Sequence, residues 1–459
     1  MPTQCSGERG GAGRVDGRHV AVDFDGGQIS SDAGALLLRD VDRTLRLTER
    51  VAACFQDGRD PDLIEHSVRT LVMQRIVAIA LGYEDLNDHD QLRRDPVLAT
   101  LAGKLAARRK GCAPLAGKST LNRLEHAPET RDSSRYHKIS HDSAAFEALF
   151  VDCFIEAHEA APEEIILDLD ATDDPLHGNQ EGRFFHGYYG GYCYLPLYIF
   201  CGRHLLAAKL RRANTDASAG SIEELERIVA QVRAHWPEVR IVLRADSGFA
   251  RDALMSWCET QQIGFIFGLA KNDRLKAQIA DEMAQAQDEH AQTGQPARRF
   301  RDFRYRTLTS WSAERRVVGK AEQLPGKSNP RFVVTSFDAE RWPARALYED
   351  LYCARGEMEN RIKECQLHLF ADRTSTATMR ANQLRLWFAS FAYVMLEALR
   401  RIGLVGTELA DATCESLRLK LLKIGALVKI SVRRIHISMA TSHPFQTAWR
   451  LAQARLAPG

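Results

Sequence analysis

The chain has 459 residues, 45% of them hydrophobic and 27% charged, with a formal net charge of +2. That length suggests two to four domains, and the composition excludes a largely disordered chain. The mean hydropathy is −0.31, and the longest apolar stretch, LWFASFAYVMLEAL at 386–399, contains Glu397. Such a stretch is too short for a bilayer span, which needs about 20 apolar residues. The start, MPTQCSGERGGAGR, is polar and Gly-rich and reads as a frayed tail rather than a signal peptide, so a cytoplasmic protein is expected. The ten cysteines include no CxxC pair, which argues against a disulfide scaffold or zinc ribbon. From Asn360 to Gly459 there are 15 Lys and Arg against 6 Asp and Glu, so the remainder of the chain is acidic. A basic C-terminal quarter points to a polyanionic partner.

Residues 17–30 read as a short strand and turn, and 31–160 as mostly helical. LIEHSVRTLVMQRIVAIALGY at 63–83 has helical apolar spacing. LAARRKGCAPLAGKSTLNRLEH at 105–126 reads as a basic helix, a Gly/Pro turn and a second helix N-capped by Ser119, a turn-and-recognition-helix pattern. AGKST within it lacks the upstream glycine and the preceding strand of a phosphate loop. The character changes at Pro162. Strands are expected at 164–170, 192–200, 204–210, 239–245 and 264–270, with helices at 217–236 and 251–262. That order predicts a mixed α/β sheet covered by helices. Residues 271–330 hold a polar helix and alternating strands, and 331–337 is one more strand. ARALYEDLYCARGEMENRIKECQLHL at 344–369 reads as one long helix, and the last 80 or so residues as helical and basic.

Three carboxylates stand out by placement. Asp170 closes the first strand of the α/β region, Asp246 closes the fourth, and Glu359 lies on the long helix. Strand-end carboxylates converge when their strands are neighbours. Tyr352, Arg355 and Lys363 fall at i−7, i−4 and i+4 from Glu359, on one helical stripe. Three carboxylates can hold two Mg²⁺ ions roughly 3.5–4 Å apart, one activating a water or 3′-hydroxyl and the other stabilising the leaving oxygen. Arg355 would clamp a phosphate with its fork of donors. Asp168 shares a strand face with Asp170 and is a further candidate ligand, while Asp173 and Asp174 crowd the same site. Taken singly, each of these residues has a plainer reading, as a turn former or a solvated helix pair. His177, His186, Cys193 and Cys201 lack metal-ligand spacing. GYYGGY at 187–192 reads as a loop near the site, and Trp311 either stacks on a displaced base or fills a core.

The sequence resembles the insertion-sequence DDE transposases that carry a Tyr-x2-Arg-x3-Glu-x6-Lys signature, and most closely the family called "thirteen-eighty". The likeness rests on DFDGGQISSDAGALLLRDVD, STLNRLEH, LDLDATDDPLHGNQEGRFFHGYYGGYCYLPLYIF, LRADSGF and YCARGEMENRIKE. It implies a ribonuclease-H-like catalytic core over 161–270 and 331–370, with a β-rich insertion at 271–330. A tail and strand at 1–30 and a helical DNA-binding region at 31–160 precede that core, and a basic helical region at 371–459 follows it. The resemblance assigns catalysis and metal binding to Asp170, Asp246 and Glu359, and places Tyr352 and Arg355 in the signature. The signature Lys falls at Gln366, so Lys363 on the same stripe is the substitute candidate, and Tyr352, Arg355 and Lys363 are the expected DNA- and phosphate-binding residues. The implied cofactor is a pair of Mg²⁺ ions, with Mn²⁺ substituting. The implied partners are double-stranded DNA at terminal inverted repeats and at a target, and a second copy of the chain in a synaptic dimer. The alternative is a transposase-derived protein that binds DNA without cutting it.

Overall fold

The computed structural model describes residues 10–130 and 137–457; the first part of the expected tail, residues 1–9, lies outside the described residues. The strands of the large sheet are numbered here in chain order. The first is β1 (Glu164–Ala171). Ile165, Leu167 and Leu169 turn to one face and are buried, while Asp168 and Asp170 turn to the other. It is followed by β2 (Leu197–Cys201), β3 (His204–Lys209), β4 (Arg240–Ala245) and β5 (Gly264–Leu269). Then come β6 (Ala297–Tyr305), β7 (Arg315–Leu324) and β8 (Arg331–Thr335). Their spatial order is β3-β2-β1-β4-β5-β8-β7-β6. Strands β1, β4 and β5 run parallel, and β2 is antiparallel to β1. This is the ribonuclease-H-like mixed sheet expected from the sequence.

Two helices, α1 (Ser221–His235) and α2 (Asp252–Thr260), cover one face. Leu225, Ile228, Val232, Leu254 and Met255 pack there against Leu167, Leu169, Leu243 and Phe265. The helical stretch 344–368 covers the other face, with Leu347, Tyr348 and Leu351 on Val242, Ile266, Val318 and Val333. It is not a uniform α-helix. A π-helical turn (Leu347–Tyr352) and a 3₁₀ turn (Cys353–Arg355) precede α3 (Gly356–Lys363), and such irregular turns are frequent at functional sites.

The insertion's strands extend the large sheet instead of forming one of their own. β7 pairs with β8 through Val317↔Val334 and Val318↔Val333. The reason is burial on both sides, since Val317 faces the α1/α2 core and Val318 the opposite one. Trp311 is 4% exposed in that core.

The helical N-terminal region packs around α4 (Met379–Ala398), which carries the long apolar stretch. That stretch is buried among Leu71, Ile76, Phe146 and Phe150, and no helix among the described residues is long and apolar enough to cross a membrane. The basic helix expected from Leu105 does not form. The Glu65 carboxylate accepts hydrogen bonds from Lys104 Nζ (2.6 Å) and from the backbone N–H of Arg108 (2.9 Å) and Arg109 (3.1 Å), taking donors that a helix would need. Helix resumes only at Lys118–Glu125, N-capped by Gly117 and not by Ser119. The last quarter is not all helical either. Ala426–Ile430 and Ile435–Met439 form a hairpin, and its first strand pairs with Ile29–Ser30. Alternating β-branched residues in LVKI and IHIS account for this.

Candidate active site

The parallel pairing of β1 with β4 sets Leu169 beside Ala245, so Asp170 and Asp246 leave the sheet at the same level from adjacent strands. Open sheets gather ligands at such carboxyl ends. Asp246 caps a single 3₁₀ turn, its Oδ1 accepting from Gly248 N at 2.8 Å. The α3 helix crosses above. Asp170, Asp246, Arg355, Glu359 and Lys363 line one open cavity of about 560 Å³.

Arg355 is the centre of this arrangement. It donates through Nη1 to Asp170 Oδ2 at 3.1 Å and through Nη2 to Glu359 Oε1 at 2.9 Å. Burial pushes the Asp170 carboxyl up to about 6; Arg355 opposes the rise, and the nearby charge of Asp246 adds to it. Loss of hydration at this carboxylate thus outweighs the guanidinium beside it. Tyr352 stands at the end of the π-helical turn with its hydroxyl against Gly268 on β5. A Cβ on Gly268 would lie 2.5 Å from Tyr352 Oη and 3.0 Å from Ser247 N. Burial holds the Tyr352 phenol above its usual range. Lys363 has no ion-pair partner among the described residues. At the signature-lysine position, Gln366 Nε2 donates to the backbone oxygen of Asp173 at 2.9 Å and bolsters the turn after β1.

Asp168 does not join the cavity. It is 4% exposed and forms a bidentate pair with Arg244, at 2.5 Å to Nε and 2.8 Å to Nη2. Arg244 Nη1 also donates to the backbone oxygen of Leu351 at 2.6 Å. Asp168, a candidate metal ligand by its strand face, instead anchors the helical stretch to the sheet through Arg244. Asp174 is buried and accepts from Thr374 Oγ1 at 2.9 Å, away from the cavity. Of the residues considered for zinc, only His186 lines the cavity, and Cys193 and Cys201 are free thiols. In AGKST, Lys118 pairs with Asp90 at 3.6 Å, which further argues against a phosphate loop.

The donor set suits a hard divalent cation, because its negative charge is carried by carboxylate oxygens. No three His, Cys, Asp or Glu residues are gathered around a single ion position among the described residues, and the Arg355 guanidinium stands between Asp170 and Glu359. The donors fit in kind and line one cavity; Glu359, 49% exposed in its side chain, would have to leave its 2.9 Å pair with Arg355 to share an ion with Asp170.

Sequence reasoning overlooked Gly268, whose role appears only when β5 lies under Tyr352. It also undervalued the loop at 186–189, which contributes His186, Tyr188 and Tyr189 to the cavity wall. No curated protein matches the chain. Residues 12–458 match the profile of the family described as Transposase DDE domain group 1. With nearly its whole length covered by that profile and the acidic strand ends in place, the chain belongs to the transposase DDE domain family.

Proposed function

We propose that this protein is a DNA transposase that binds the terminal inverted repeats of an insertion sequence and performs strand cleavage and strand transfer by two-metal phosphoryl transfer. The observation that carries the reading is the meeting of Asp170 and Asp246 on adjacent parallel strands, with Arg355 and Glu359 facing them in one cavity. Asp170, Asp246 and Glu359 would hold Mg²⁺, with Mn²⁺ as a substitute, and the ions would activate the attacking oxygen and stabilise the leaving one. The chain's own cations supply the rest. Arg355 has a planar fork suited to phosphate oxygens, and Lys363 adds a point charge along the same stripe. Tyr352 keeps the helix seated over β5 beside Asp246.

In this reading residues 31–160 recognise the element's ends, and the basic region 371–459 contacts phosphate and the second subunit of a synaptic homodimer. The test is an Mg²⁺-dependent cleavage assay on an element-end duplex. Wild type is expected to cleave, and Asp170→Ala, Asp246→Ala and Glu359→Ala to bind without cleaving. Binding without cleavage by wild type would establish the DNA-binding relic instead.

A further inference from the structure

Exposed aromatic rings are concentrated in one loop of this protein. Phe184, Phe185, Tyr188, Tyr189 and Tyr192 are 37, 59, 87, 36 and 48% exposed, and elsewhere among the described residues only Phe24 is a comparably exposed ring. They belong to a short hairpin whose strands, Phe184–His186 and Gly191–Tyr194, pair antiparallel. The turn between them holds Gly190 at φ +69°. A Cβ on Gly187, Gly190 or Gly191 would meet no atom within 4 Å, so the glycines of the turn face open space.

The hairpin is tied to the catalytic strand, because Tyr189 Oη donates to the backbone oxygen of Ala171 at 3.4 Å. Its rings are arranged against one another. Tyr188 meets Tyr189 edge to face with centroids 5.0 Å apart, and Tyr189 lies 4.9 Å from the His186 ring. Arg183 sits over Tyr192 at 4.8 Å. His186, Tyr188 and Tyr189 wall the same cavity as Asp170, Asp246 and Arg355.

A contiguous apolar patch left in water marks a binding surface. Flat rings beside guanidinium groups have the chemistry that takes nucleobases by their faces while the cations hold the backbone. A paired duplex keeps its base faces stacked inside, so it cannot use such rings. We infer that the 184–194 hairpin, with Tyr188 at its tip, is a stacking platform for an unpaired nucleobase next to the phosphodiester in the cavity. The inference rests on the DNA reading above and deepens it. It also moves the stacking role considered for Trp311 to a different part of the chain.

Fluorescence anisotropy with two labelled probes, single-stranded dT12 and a mixed-sequence 20-base-pair duplex, tests this without divalent cation. Tyr188→Ala is expected to lower dT12 affinity about 5- to 140-fold relative to duplex affinity, the range for one stacked base. Tyr188→Phe should keep the wild-type ratio and Tyr188→Leu should not, because a leucine is apolar without a π-face. An unchanged ratio in Tyr188→Ala overturns the platform. So does full rescue by Leu, or a change in sedimentation behaviour alone, which would mark a contact between copies of the chain. If wild type binds neither probe, the DNA reading fails with it; if wild type binds the duplex and the ratio ignores Tyr188, only the platform fails.

Discussion

Replacing Asp170 by Asn should stabilise the cation-free protein at neutral pH while abolishing cleavage. The folded-state carboxyl takes up its proton at about 6 and the ordinary value is 3.8. The native state therefore binds more protons than the unfolded state between those values, and the stability contributed by this group is full below about pH 4 and lost as pH rises through about 6. At 1.36 kcal/mol per pH unit, ionised Asp170 costs up to about 3 kcal/mol at pH 7.5. The Asn variant avoids that charge, and Arg355 keeps Glu359 as a partner at 2.9 Å. Denaturant midpoints measured in EDTA should favour Asp170→Asn by about 1–3 kcal/mol at pH 7.5 and show no difference at pH 4. Added Mg²⁺ should raise the wild-type midpoint more than that of the variant. A variant no more stable than wild type at pH 7.5, or one equally stabilised at both pH values, would refute the claim that burial and Asp246 strain this carboxylate.

Further outcomes follow from the packing around the cavity. Gly268→Ala drives a methyl into Tyr352 Oη, so element-end cleavage should fall at least about tenfold, with a stability loss of about 1–3 kcal/mol from overpacking; unchanged cleavage would show that Tyr352 can move freely. Arg244→Ala leaves Asp168 buried and unpaired, and chemical denaturation should register a loss of about 3–5 kcal/mol. Trp311→Ala opens a cavity beside Tyr305, whose ring lies 5.8 Å away. Stability should drop about 3–5 kcal/mol with no change in the ratio of dT12 to duplex affinity.

The two strand-end aspartates were legible because each follows a short run rich in Ile, Leu and Val, EIIL before Asp168 and Asp170 and IVL before Asp246. Their convergence was not, since it depends on β4 lying next to β1, a pairing across many residues that no local pattern encodes. The stripe from Tyr352 to Lys363 was legible as helical spacing, whereas the π-helical and 3₁₀ turns that tune it arise from packing on the sheet. Asp168 and Asp170 are indistinguishable by alternation. What separates them is Arg244, opposite Asp168 in the β1–β4 register, and the helical stretch that crosses above both. Tertiary capture likewise explains the missing helix at 105–109, where Glu65 takes the backbone donors. The C-terminal hairpin was hidden because its short alternating runs adjoin basic helical segments and its partner, Ile29–Ser30, lies at the opposite end of the chain.

That last pairing has a bearing on biosynthesis. Ile29 and Ser30 emerge from the ribosome early, yet the strand that completes their sheet is translated near the end. Buried Glu125 waits in the same way, held by Arg75 from its own region and by Arg385 from α4. The amino-terminal region therefore cannot complete this sheet edge or the Glu125 ion pairs until Arg385 and the strand at 426–430 have both been made, so its last contacts are among the most distant in sequence.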